Sequence, residues 1–305
     1  MPDQFKYVDP STFEDAWSFD NDLPYAKWKI IGDYIRSKFA ETEWSGAWRE
    51  AVSRWLQKLT ASLGTGYSIN ESPNFFIMSR RDERGRNQLL RLAEQLLGQM
   101  RTTLKGIELR KTHGKHVILL FDDQDQYYRY VSHFYPDGNH ILSAGIFLRS
   151  GGYAHIALHE TRYDTVQTLS HELAHNCLMT LRLPRWLNEG MANLLECGVS
   201  ADRANGLDAD LAQEHFQFWN SENIQGFWKG HAFGNPDTSR LAYSLARILL
   251  ALITQEKWNL SQFVQHADHA DAGEQAAEKH LGRTLGELAG LFLGPGDWMP
   301  KPKSS

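Results

Sequence analysis

The chain has 305 residues, 42% hydrophobic and 23% charged, enough for one large domain or two modest ones, each with a real core. Its formal charge is -5, with no basic run, which argues against a nucleic-acid or anionic-membrane surface. Two cysteines, Cys177 and Cys197, are too few for a disulfide framework, and aromatic bulk (15 Phe, 11 Tyr, 10 Trp) makes one unnecessary.

The N-terminus is acidic and broken by Pro2 and Pro10, with no basic start and apolar stretch, so a cytoplasmic location is expected. The longest apolar run, Leu241 to Ile253, is interrupted by Arg247 and too short to cross a bilayer. Residues 1–65 read as an N-terminal helical region. Trp28 to Phe39 and Ala47 to Leu59 have the spacing of amphipathic helices, and Trp17, Trp28, Trp44, Trp48 and Trp55 read as core rather than as a ligand platform.

Past Gly64-Thr65-Gly66 the pattern changes. Strands are predicted over Asn74 to Ser79 and His116 to Phe121, and helices over Arg86 to Leu104 and Gln124 to Phe134. Two more strands, Ser143 to Leu148 and Tyr153 to Leu158, flank the turn signal Gly151-Gly152. This alternation implies an α+β fold with a mixed sheet. From Thr165 onward helices dominate, with loops near Gly226 to Pro236 and a frayed tail from Pro300. The expected divisions are therefore 1–65, a catalytic core over 66–200, a helical part over 201–299, and the tail 300–305.

His171-Glu-Leu-Ala-His175 carries the chemistry. On a helix, residues four apart lie one turn above each other, so both imidazoles can reach one zinc ion. Glu172 then sits beside the metal, placed to take a proton from an activated water as general base. Val166, Leu169, Leu173 and Cys177 form a stripe within roughly 80°, nearly opposite the histidines. Pro184 to Asn193 opens a second helix, with Trp186, Leu187, Met191 and Leu194 as an apolar face. Glu189 on that helix supplies a third, oxygen ligand, and three protein ligands mark a catalytic site.

HELAH followed by WLNEGMA resembles the gluzincin zinc peptidases, the peptidase MA-like families. The resemblance spans His171 to Glu196, and in looser form about residues 70 to 270. It implies a gluzincin-like catalytic domain with helical N- and C-terminal parts, one Zn2+ per chain held by His171, His175 and Glu189, and a peptide or protein substrate. The spacing to Glu189 is shorter than in the large aminopeptidases of that group, and no G-x-M-E-N segment occurs, so aminopeptidase specificity has no support. Asn193 stands where thermolysin-like members carry Asp; it either supports a ligand imidazole or bonds locally in its helix.

A donor to the oxyanion is also expected. The resemblance points to Tyr243, although Ser239 occupies the position one turn earlier where the families often have tyrosine. The alternatives are a packing role for Tyr243 and a donor role for His231. By the same resemblance the strand before the active-site helix is the cleft edge, so His155 and His159 either line the cleft or are ordinary half-exposed strand residues. His266, Asp268, His269 and Asp271 read as a solvated face, Asp122, Asp123 and Asp125 as a helix cap rather than a calcium loop, and both cysteines as packed thiols. The function expected is zinc-dependent peptide hydrolysis. The alternatives are a zinc-binding regulatory or interaction module without turnover and a metal-free structural protein.

Overall fold

The computed structural model describes residues 7, 15–108, 114–135, 143–160, 165–197, 209–255 and 259–301. The chain divides into two compact units: Met1–Leu97 with Lys111–Asn176, and Gly98–Arg110 with Cys177–Ser305. The expected tail beyond Lys301 lies outside the described residues. None of the described helices is long and apolar enough to cross a membrane.

The first unit is a mixed α plus β body. It opens with strands β1 (Trp17–Asp20) and β2 (Leu23–Ala26), an antiparallel hairpin inside the region expected to be helical. Asn21 and Asp22 turn it, both at positive φ (49° and 61°), as a two-residue turn matched to strand twist requires. The two anticipated helices follow as α1 (Trp28–Lys38) and α2 (Trp44–Leu63).

The main sheet contains β3 (Ser68–Glu71), β4 (Phe75–Ser79), β5 (His116–Phe121), β6 (Gly145–Ser150) and β7 (Tyr153–His159), in the order β3-β4-β5-β7-β6. The pairs β4–β5 and β5–β7 are parallel, and the outer pairs antiparallel. Helix α3 (Glu83–Thr103) connects β4 to β5, and α4 (Gln124–Val131) follows β5. Asp123 caps α4 by accepting from the Gln126 amide at 2.7 Å, the capping role expected of that acidic cluster. Gly151 and Gly152 make the β6–β7 turn at φ 56° and 88°.

Alternation along the strands separates two faces of the sheet. Phe76, Met78, Val117, Leu119, Phe121, Tyr153 and Ala157 join a core with Trp28, Trp48 and Trp55 of α1 and α2 and Tyr127 and Tyr130 of α4. The N-terminal tryptophans on that face are core, as their spacing implied. The other face meets α5 (Thr165–Leu178). His116 Nδ1 lies 3.0 Å from Asn176 Oδ1, and a Cβ on Gly145 would fall 2.3 Å from a Leu158 methyl and 2.5 Å from the Thr168 methyl. Only glycine lets β6 pass that close to α5.

The second unit is helical among its described residues: α6 (Arg185–Cys197), α7 (Ala209–Phe218), α8 (Ile224–Trp228), α9 (Ser239–Gln255), α10 (Leu260–His266), α11 (Glu274–Leu281) and α12 (Leu285–Leu293). The stretch expected as a loop, Gly226 to Pro236, contains the end of α8 and a 3-10 turn, His231–Phe233. Buried Phe227 and Phe233 explain this, because a turn that buries two phenylalanines folds around them. Trp186 is fully buried, its indole donating to the Ala272 carbonyl at 2.9 Å. At Gly190 a Cβ would lie 3.0 Å from the Ala246 carbonyl, so the glycine of the Glu-Gly-Met segment is where α6 and α9 touch.

Candidate metal centre

Helix α5 carries the histidine pair as its periodicity requires. His171 Nε2 and His175 Nε2 are 3.1 Å apart with the rings edge to face, and His175 Nδ1 is shut off from solvent. Leu169, Ser170, Leu173 and Ala174 are fully buried, which fixes the helix rotation. Val166 departs from the expected stripe at 40% exposure, because it lies in the first turn, before the buried run begins. Burial pushes the Cys177 thiol up to about 12, so it is a packed and unreactive thiol. The Cys197 side chain lies outside the described residues.

Glu172 precedes buried Leu173 and is half-exposed. In the same unit the Tyr127 hydroxyl is held above its ordinary range, first by burial and then by the charge of Glu172, while its bond to Ser143 works the other way. Tyr127, Ser143 and Glu172 thus share one electrostatic environment, a link that nothing in their spacing signals.

Glu189 sits on α6, 8% exposed, with Oε2 sealed from solvent and Oε1 3.6 Å from Arg185 Nε one turn earlier. Trp186, Leu187, Met191 and Ala192 form the buried face of that helix. Asn193 donates its amide to the Glu189 carbonyl at 2.9 Å, the local bond of a helix residue. The first unit thus brings two imidazole nitrogens of α5 together, and in the second unit α6 carries the buried carboxylate of Glu189. His266, Asp268, His269 and Asp271 do not converge in this way. His266 stacks on His280 and His269 pairs with Asp268 at the surface.

Tyr243 is half-buried on α9, its ring 5.2 Å from Phe233 and edge-on to it. His231 is exposed in the 3-10 turn. The strand expectation needs correcting. Strand β7 is interior, paired on both sides, and the edge beyond it is β6. His155 is 1% exposed, 2.7 Å from the Tyr130 hydroxyl and beside Trp55 and Phe134, and burial lowers its pKa to about 3. It is neither a cleft residue nor half-exposed; β7 passes through the middle of the core, and its histidine goes with it. His159 is half-buried against Tyr127. The residue that does approach the pair is Phe147 on edge strand β6, its ring 6.5 Å from His175.

No protein-family model matches this chain, and no curated protein matches it, so the chemistry has to be read from these side chains.

Proposed function

We propose that the chain is a zinc-dependent peptidase whose metal is held by His171, His175 and Glu189, with Glu172 as general base. The observation that carries this is the pair of imidazole nitrogens 3.1 Å apart on one face of α5, followed in the sequence by the buried carboxylate of Glu189 on α6. The donor set fits zinc, which takes nitrogen and oxygen ligands and, in catalytic sites, three protein ligands with one open position. The spacing fits as well. Tetrahedral zinc with nitrogens at ~2.0–2.1 Å holds two of them roughly 3.3 Å apart, and the imidazole nitrogens here stand 3.1 Å apart. When bound, the ion supplies Lewis acidity toward a water and toward the carbonyl of the scissile bond.

The chain's own groups carry the proton. The Glu172 carboxylate accepts it as water adds to the carbonyl carbon. It returns the proton to the nitrogen as the C–N bond breaks, so that the amine leaves neutral. Tyr243 is the candidate donor to the oxyanion that develops on the carbonyl. Edge strand β6, beside His175, is the place where an extended peptide would add as a further strand.

The test combines elemental analysis of chelator-free protein with peptide-library cleavage by wild type and Glu172→Gln. About one zinc per chain is expected in both. Glu172→Gln should lose about 10²–10⁴-fold in turnover, because an amide cannot take the proton. Absence of zinc overturns the reading. Zinc without cleavage of any peptide leaves a binding module instead.

A further inference from the structure

Resting on the peptidase reading above, we propose that the pocket beside Glu189 is a subsite for a carboxylate of the substrate, held by Arg185 and Lys229. The pocket, about 750 Å³, lies within the helical unit, between the start of α6, the end of α8, the segment leading into α11, and Pro300-Lys301. Its lining is rich in charge of both signs, so which charges are already matched decides what it can bind.

The acids are committed. Asp271 accepts from the Gly273 amide at 2.9 Å and the Gln275 amide at 3.1 Å. Glu274 Oε2 accepts from the Leu285 amide at 2.9 Å, its Oε1 is sealed from solvent, and burial raises its pKa. Glu189 gives its carboxylate to the metal in the reading above. Among the cationic groups, His269 faces Asp268 at 2.8 Å and Lys301 faces Asp297 at 3.5 Å.

Arg185 and Lys229 remain. Lys229 is exposed, with no ion pair or side-chain hydrogen bond among the described residues. Arg185 makes a long ion pair, its Nε 3.6 Å from Glu189 Oε1, and a guanidinium with five N–H groups keeps donors for a second carboxylate. The arginine stem packs on Gly230, where a Cβ would meet the Arg185 Cβ at 3.0 Å. Its guanidinium lies 5.6 Å from the Phe233 ring centre, and Nη1 reaches the Gly230 carbonyl at a long 3.4 Å. That contact brings Arg185 to the residue next to Lys229. Two cations held at one rim repel each other, and an anion between them relieves the repulsion while accepting charge-assisted hydrogen bonds. The shared chemistry is a carboxylate, from an acidic side chain or from the peptide's C-terminus.

The test measures equilibrium binding to the full chain carrying Glu172→Gln, so that no peptide is consumed. Four labelled hexapeptide pools serve as probes: neutral and amidated, amidated with one Glu, amidated with one Lys, and neutral with a free C-terminal carboxylate. At least one carboxylate pool should bind about tenfold or more tighter than the neutral amide. Which one does so identifies the source. High salt should shrink the difference. Arg185→Gln and Lys229→Met should each cut it to below about threefold, and Lys229→Glu should turn the preference toward the Lys pool. Equal binding of all pools, no binding of any, or a preference unchanged in Lys229→Glu overturns the proposal. Lys229 is exposed, so that variant decides even if Arg185→Gln fails to fold. Zinc analysis on the same samples separates the two readings. A zinc-free chain that keeps the preference removes the peptidase and leaves the subsite. A zinc-bearing chain that cleaves peptides without the preference removes the subsite alone.

Discussion

Strand β7 and helix α5 are successive elements, and each carries two histidines on a shared face. His155 and His159 are four apart on a strand, two pleat repeats of two residues; His171 and His175 are four apart on a helix, about one turn. The spacing does the same geometric work in both. What covers the face differs. Trp55, Tyr130 and Phe134 close over His155, leaving a neutral ring paired with one tyrosine. On α5 the buried face belongs to Leu169, Leu173 and Ala174, so the imidazole nitrogens converge on each other instead of on the core. Placing two imidazoles together is local; whether they end in the core or face each other depends on which side chains pack over that face.

The largest effect expected on the α5 side is from Glu189→Ala. Loss of an outer-shell partner typically costs about 10–100-fold in metal affinity, so loss of a ligand should exceed about 100-fold. Zinc competition titration measures it, and wild-type affinity would place the third ligand elsewhere.

Tyr243→Phe comes next. If the hydroxyl donates to the oxyanion, kcat and kcat/KM should fall together by roughly 10²–10³-fold with KM nearly constant. If the ring only packs on Phe233, kinetics stay normal and stability drops by at most about 1 kcal/mol. His231→Ala belongs in the same series, since a large effect there would transfer the role.

Gly145→Ala probes the seam where β6 passes α5. The added methyl would meet both the Leu158 and Thr168 methyl groups, an overpacking expected to cost about 1–3 kcal/mol in urea unfolding. A neutral substitution would mean that the seam yields without penalty.

Near neutral pH the smallest effect concerns the β7 side. The folded pKa of His155, about 3, lies below its unfolded value of about 6.5. Below that unfolded value the unfolded chain takes up the proton first. Stability should therefore be full above about pH 6.5 and decline toward pH 3, by no more than about 1.4 kcal/mol per pH unit for this group. Burial lowers His215 to about 4, which adds a second contribution of the same sign. His155→Phe should remove its own share of the slope between pH 7 and pH 5, at a constant cost of about 1–3 kcal/mol for the stranded Tyr130 hydroxyl. An unchanged slope would assign the pH dependence to other groups.

Much of the α5–α6 segment was legible because its information is local. The four-residue histidine spacing, the buried leucines and the Glu-Gly segment each lie within one helix, where 3.6-residue periodicity relates sequence position to face. The β1–β2 hairpin was not read, since two four-residue strands embedded among tryptophans at helical spacing give too short an alternation to outweigh it, although Asn21-Asp22 is a turn signal in hindsight of its positive φ angles. Strand composition showed that β7 exists. It could not show that β6, not β7, forms the edge, because strand order depends on partners up to forty or so residues away rather than on the strand itself.

The sequence by itself determined most of the longer helices and strands and which residues share a face within them, because backbone periodicity needs no partner. Only the tertiary structure decided that His155 is sealed, that Gly145 and Gly190 are points of close approach, and which charges around Arg185 and Lys229 are already matched. Burial and pairing are properties of neighbours, and those neighbours come from distant parts of the chain.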